Sequence, residues 1–197
     1  ELGGKIIGAV EGIILLDQEG NPLNREIGKR KKENEARNEK RLYCLEDLVT
    51  DDIYMKQVKK QIQKAAEADS PVMLIGDTGT GKEVAAQSIH SHSRRAVGPF
   101  VSQNCSAIPM GLLESTLFGT VKGSYTGAED RKGLFELADK GTLFLDELNS
   151  MEIGLQGKIL KAVEEQRIRR VGEEREREID VRVVSAVNRD TRDILSA

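Results

Sequence analysis

Cysteine is scarce in this chain, and long apolar runs are missing from it. The 197 residues include two cysteines, Cys44 and Cys105, far apart and with no CxxC partner or histidine pattern beside either. That excludes a disulfide scaffold and a zinc site, and leaves both thiols as reduced packing residues. No segment approaches the roughly 20 apolar residues of a membrane helix, so no membrane is expected among the partners. The opening "ELGGKIIGAV" lacks a basic start followed by an apolar block and a cleavage site, so no secretory signal is read and a cytoplasmic protein is expected. An excess of one charge is also missing: 30 Lys and Arg against 33 Asp and Glu leave a net charge of −3. A domain that grips nucleic acid across its surface would be strongly basic. These bounds fit a soluble globular chain of one domain plus appendages.

What is present falls into three stretches. Gly4 to Leu16, "GKIIGAVEGIILL", is apolar, β-branched and bounded by the turn signal "DQEGNP", so it reads as one or two strands too short to form a domain, within a first stretch of residues 1–24. Residues 25–42 are dense in both charges and nearly free of apolar side chains, as in a solvated linker or an exposed helix; a basic patch for nucleic acid is the lesser reading. Organised sequence begins near Tyr43. Ile53, Val58, Ile62 and Ala65 recur at helical spacing behind the candidate caps Asp51 and Asp52, and the helix should end before Ser70-Pro71. Strands are predicted at Val72–Ile75, Phe100–Cys105, Gly141–Leu148 and Ile179–Asn188. The helices between them should start at Lys82 and fill Pro109–Gly119 and the stretch "GLQGKILKAVEEQ". Strands alternating with helices predict an α/β fold, a parallel sheet covered on both faces.

Two motifs carry chemistry. "GDTGTGK" fits GxxxxGK directly after a strand and at the start of a helix, the context in which that pattern means a phosphate loop. Gly76, Asp77, Thr78, Gly79, Thr80 and Gly81 would turn backbone N–H groups onto a phosphate. The helix N-terminus adds positive potential, and Lys82 can reach the terminal phosphates. Glu83 stands where a Ser or Thr metal ligand is usual. Downstream, "LFLDE" carries a strand through the core and delivers Asp146 and Glu147 at its carboxyl end, where parallel sheets place ligands. Asp146 can hold Mg²⁺, directly or through water, and Glu147 can orient or deprotonate an attacking water. Between the motifs lies "VKGSYTGAED", small residues around one aromatic, too polar and glycine-rich for core.

That stretch carries a resemblance. From Tyr43 onward the chain resembles the AAA+ central domain of sigma-54-dependent bacterial transcription activators, the NtrC type. "GSYTGA" is similar to that family's GAFTGA loop, and "GDTGTGKE", "NCSAIP", "LLESTLFG", "GLFELADKGTLFLDEL" and "VRVVSAVN" stand in the family's order. The resemblance implies a three-layer P-loop NTPase fold, ATP and Mg²⁺ as cofactors, and Glu83 as the family's usual residue after the lysine. It implies that Gly123, Ser124, Tyr125, Thr126, Gly127 and Ala128 form the loop that touches sigma-54 RNA polymerase and moves with nucleotide state. It makes Asn104 the switch residue that hydrogen-bonds Glu147, and Asn188 the sensor of the γ-phosphate. It further implies a homo-oligomeric ring, hexamer or heptamer.

The chain departs from the family pattern in three places. Thr120-Val121 replace a His-Glu pair, as in the arginine-utilisation-regulator branch. Val187 replaces a threonine, so only Asn188 is carried over as sensor. The arginine fingers, last strand, helical lid and DNA-binding domain of the family follow the sensor asparagine, so residues 43–197 are expected to be an incomplete large subdomain that hydrolyses ATP weakly alone. "GGKIIGAVEG" resembles the final strand of a PAS sensory domain. Arg167, Arg169 and Arg170 precede the sensor and are not read as fingers; Arg170 is expected to pair on the surface with the acidic run "EEREREID". His90 and His92 are read as structural. A partner-binding module without turnover and a different AAA+ machine remain open, the second opposed by "GSYTGA".

Overall fold

The computed structural model describes residues 41–125 and 127–188. The expected strands of residues 1–24 therefore fall outside the described residues, as does the linker except for Arg41 and Leu42. After a short 3-10 turn (Leu45–Asp47) come α1 (Ile53–Glu67), β1 (Val72–Ile75), α2 (Lys82–Ser91), β2 (Phe100–Asn104), α3 (Met110–Phe118), β3 (Gly119–Thr120), β4 (Arg131–Lys132) and α4 (Leu134–Leu137). The chain continues through β5 (Thr142–Asp146), a 3-10 turn (Leu148–Ser150), α5 (Ile153–Glu165), β6 (Arg167–Arg169), β7 (Glu176–Glu178) and β8 (Arg182–Val187).

Strands β1, β8, β5 and β2 form one parallel sheet in that order. The two inner strands are mostly apolar on both faces, Leu143 to Leu145 in β5 and Val183, Val184, Ala186 and Val187 in β8, because both faces are covered. Alternation along them sorts the core. Leu143, Leu145 and Val183 pack with Leu113, Leu117, Phe135, Ile159 and Ala162 from α3, α4 and α5. Phe144, Val184 and Ala186 pack on the other face with Ile62 of α1 and Ala86 and Ile89 of α2. Each fully buried Leu, Ile, Val or Phe among these contributes roughly 1.5–3 kcal/mol.

Helix α1 starts where Asp52 accepts a hydrogen bond from the Met55 N–H at 2.9 Å, so Asp52 is the cap and Asp51 is not. Its apolar stripe is only half used: Ile62 is buried, whereas Ile53 is 71% exposed. The other end is tied down by Arg182, buried at the start of β8, which donates to the carbonyls of Ala65 (2.6 Å) and Ser70 (3.2 Å). A cation against the last carbonyls of a helix complements its dipole.

Two predicted strands change at their ends. The one expected through Leu148 stops at Asp146, because Glu147 adopts a left-handed backbone (φ 54, ψ 45) and the chain turns into the 3-10 segment. The one expected from Ile179 begins at Arg182, and the residues before it form a separate antiparallel hairpin, β6 with β7. There Arg167 faces Glu178 and Arg169 faces Glu176, and both pairs close salt bridges. Opposite charges directly across a ladder stabilise an exposed hairpin that has little apolar surface of its own.

Arg170 does not join those pairs, contrary to the surface role expected for it. Its Nε and Nη2 donate to the two carboxylate oxygens of Glu136 in α4, at 2.7 and 2.8 Å, with the side chains only 11% and 12% exposed. Burial pushes the Glu136 carboxyl up, but the hydrogen bonds and charge of Arg170 outweigh it and hold it below the usual carboxylate range.

Candidate functional site

All four strands of the sheet release their carboxyl ends along one rim. β1 runs into the glycine-rich turn, β8 ends at Val187 and leads into Asn188, β5 delivers Asp146 and Glu147, and β2 ends at Asn104, the register partner of Asp146. The order of strands therefore gathers Gly76 to Glu83, Asn104, Asp146, Glu147 and Asn188, distant in sequence, into one row.

The turn itself is shaped for an anion. Gly79 and Gly81 have φ of 81 and 84, a conformation that a side chain would strain. Gly81 is the N-cap of α2 and offers no side-chain cap, so the first N–H groups of the helix lack an intrahelical acceptor and suit an anion. Lys82 Nζ lies over the turn, donating to the carbonyls of Gly76 (2.8 Å) and Asp77 (2.9 Å). Thr80 closes the turn through its N–H and hydroxyl onto the Asp77 carbonyl. Thr78 is exposed, and Glu83 accepts from Gln87 one helical turn on.

At the acidic end, Asp146 Oδ1 accepts the Glu147 N–H at 2.9 Å. Glu147 is one of three non-glycine residues with positive φ among those described, a strained backbone at the residue proposed from sequence to handle water. Its carbonyl accepts the N–H and the hydroxyl of Ser150, at 2.9 and 2.8 Å. The hydrogen bond expected from Asn104 to Glu147 is replaced by a local one: Asn104 Oδ1 accepts the N–H and hydroxyl of Ser106, at 2.9 and 2.8 Å. This is the side-chain turn that Asn makes readily two residues ahead. Asn188 is met by a residue that sequence reasoning did not single out, Asn149, whose Nδ2 donates to its Oδ1 at 3.0 Å.

No group of three or more His, Cys, Asp or Glu is placed to cage a metal among the described residues. The donor set fits an ion of the Mg²⁺ kind, which is held by one or two carboxylates together with substrate phosphates and water. Behind Asp146, the buried Cys105 thiol is pushed up to about 12 by burial and by the charges of Asp146 and Glu147. His90 is fully buried beneath the sheet, and burial lowers its pKa; it shares a hydrogen bond with Thr142, and His92 donates to Ser88, so both histidines are structural.

Beside the phosphate turn opens a cavity of about 450 Å³, lined by Leu48, Met55, Val58 and Ile62 on one side and Gly76 and Lys82 on the other. Val58, one of the apolar residues at helical spacing in α1, is a wall of this cavity. Only folding brings residue 48, α1 and the turn together, so the local sequence carried no signal for it.

The "GSYTGA" loop stands apart from this rim on a small ladder of its own. β3 and β4 pair antiparallel, and Val171, next to Arg170, adds a third segment through its N–H to Gly119 O (2.9 Å) and its carbonyl from Val121 N–H (3.2 Å). Gly123 and Gly127 have φ of 87 and 84 on either side of Tyr125, whose side chain is half exposed. Thr126 lies outside the described residues. Ala128, expected among the partner contacts, is buried at the loop's foot, where its N–H donates to Tyr125 O and its carbonyl accepts from Gly123. Ser124 is partly covered by Gly172, where an added Cβ would come within 2.3 Å of the Ser124 Cβ.

Residues 48–197 match the family described as "Sigma-54 interaction domain". The chain is 44% identical over 193 residues to the transcriptional activator RocR of Bacillus subtilis (strain 168), covering 98% of this chain and 40% of that protein. It is 51% identical over 140 residues to the anaerobic nitric oxide reductase transcription regulator NorR of Enterobacter sp. (strain 638), covering 71% of this chain and 28% of that one. Among solved structures, NtrX from Brucella abortus in complex with ADP superposes with a TM-score of 0.70 at 33% identity, over 87% of this chain and 35% of that one. The same protein in complex with ATP gives 0.70 at 32% identity, over 87% of this chain and 38% of that one. The chain thus spans less than half the length of these relatives.

Proposed function

The chain belongs to the sigma-54 interaction domain family, and from that premise we propose that it binds ATP with Mg²⁺, hydrolyses it within a ring of several copies, and uses the loop around Tyr125 to remodel sigma-54 RNA polymerase. The observation that carries this reading is the single rim on which the phosphate turn, Asp146, Glu147 and Asn188 meet, with an apolar cavity adjoining the turn. The crystallisation of NtrX with ADP and with ATP supports a nucleotide here.

Each part has a task. The cavity walls formed by Met55, Val58 and Ile62 take the flat apolar base, as small-molecule pockets generally combine apolar walls with a few polar anchors. The N–H groups of the turn and of α2 hold the phosphates. Lys82, already poised over the turn, exchanges two carbonyl acceptors for phosphate oxygens. Asp146 holds the Mg²⁺, whose contribution when bound is to neutralise charge on the phosphates. Glu147 orients the water and takes its proton, and Asn188 reads the terminal phosphate. The coupling of hydrolysis to the partner runs through the loop's mount, where Val171 and Arg170 join its base to the hairpin and α4. Tyr125, aromatic and exposed between two glycines, is the anchor.

The test separates the two surfaces. In the whole protein, Tyr125→Ala should abolish capture of sigma-54 and leave ATP binding intact, whereas Lys82→Ala should remove ATP binding first. Equal loss of ATP binding in both variants would refute the division of labour.

A further inference from the structure

The hydrogen bond between Asn149 and Asn188 spans 39 positions of sequence. Asn149 lies two residues beyond Glu147, in the 3-10 turn that Ser150 pins to the Glu147 carbonyl by two hydrogen bonds. Asn188 follows Val187, the register partner of Ile75, and the Val187 carbonyl accepts the Gly76 N–H at 3.3 Å. The Asn149–Asn188 bond therefore joins the end of the acidic strand to the end of β8, immediately beside the first residue of the phosphate turn.

A carboxamide is planar, with its oxygen and its amino group on opposite sides, and the two ends differ in hydrogen-bonding sense. Committing Oδ1 of Asn188 to the Asn149 donor aims the Asn188 amino group away from Asn149. A phosphate oxygen can accept from that amino group and would repel the oxygen. An Asn188 side chain without this partner could present either end, and the wrong end would oppose the ligand.

We infer that Asn149 is a positioning residue that fixes the Asn188 carboxamide with its amino group as the donor to the terminal phosphate of a nucleoside triphosphate. The inference rests on the reading of Asn188 as the group that reads that phosphate. It adds a link: the turn following the water-orienting Glu147 also sets the sense of the phosphate reader. Asn149 is exposed, so replacing it does not open the core.

The experiment is a double-mutant cycle in the whole protein with Asn149→Ala, Asn188→Ala and the pair together. The affinities for ADP and for a non-hydrolysable ATP analogue are measured by displacement of a fluorescent nucleotide. Each single variant should lower the preference for the analogue over ADP by about tenfold or more, with ADP affinity unchanged, the scale of one lost hydrogen bond to a charged group. The double variant should be no worse than Asn188→Ala, because Asn149 acts only through Asn188. Losses that multiply in the double variant, or an Asn149→Ala protein that keeps the preference while Asn188→Ala loses it, would overturn this inference alone. An Asn188→Ala protein that keeps the preference would overturn the reading of Asn188 and this inference with it. Weakened ADP binding in Asn149→Ala would mark a structural role and also overturn it.

Discussion

Replacing Arg170 with methionine tests how the loop's mount is held. The guanidinium makes two hydrogen bonds to Glu136 with both side chains about nine-tenths covered. Its loss leaves the carboxylate with the single long bond from the Gly133 N–H, at 3.4 Å. Removing one partner from a buried pair costs roughly 3–5 kcal/mol, and the slight exposure here places the cost near the lower end, about 3 kcal/mol. For a domain of this size that lowers Tm by roughly 6–12 °C. Arg169→Met is the control: its pair with Glu176 is exposed at 58% and 36%, and its loss should cost less than about 1 kcal/mol. Urea unfolding followed by circular dichroism measures both, with Glu136→Gln and the double variant closing a cycle. Acid provides a second reading. The folded Glu136 carboxyl titrates below its unfolded value of about 4.3, so the stability it contributes is complete above that pH and disappears as pH falls through the lower folded value. Arg170→Met should lose that part of the acid dependence. Equal costs for Arg170→Met and Arg169→Met, or additive costs for Arg170→Met and Glu136→Gln, would refute the buried clasp.

Two further outcomes follow from the rim. Val58→Arg places a charge in the apolar cavity beside the phosphate turn and should weaken ATP binding on the order of tenfold without lowering Tm, since Val58 is half exposed; unchanged affinity by titration calorimetry would remove the cavity from the nucleotide site. Cys105, buried and with its thiol pushed up to about 12, should resist iodoacetamide at pH 8 in the folded protein; mass spectrometry showing it alkylated as fast as in the denatured chain would contradict the packing around Asp146.

The sequence made the local parts of this site readable and the long-range parts invisible. The phosphate turn, the strand ending in Asp146-Glu147 and the "GSYTGA" loop are each written in a few consecutive residues, because backbone conformation and strand burial are local demands. The parallel sheet followed from the alternation of strands and helices. The pairing of Arg170 with Glu136 joins residues 34 apart, and that of Asn149 with Asn188 joins residues 39 apart. No periodicity marks such partners. The run "EEREREID" reads as a solvated surface by composition, yet Glu176–Glu178 within it become a strand, because its glutamates find arginines across the hairpin. Helix α1 shows the reverse case, a stripe with helical spacing of which Ile62 is core, Val58 lines a cavity and Ile53 is exposed.

The central claim is that nucleotide state at the rim governs the grip of the Tyr125 loop on sigma-54. A native-gel shift of purified sigma-54 by the whole protein, with ADP alone and with ADP plus aluminium fluoride, tests it most directly. A shifted complex is expected only with the aluminium fluoride, the mimic of the phosphate in transfer. No shift, with ATP turnover intact, would contradict it and leave an ATPase whose partner is something else.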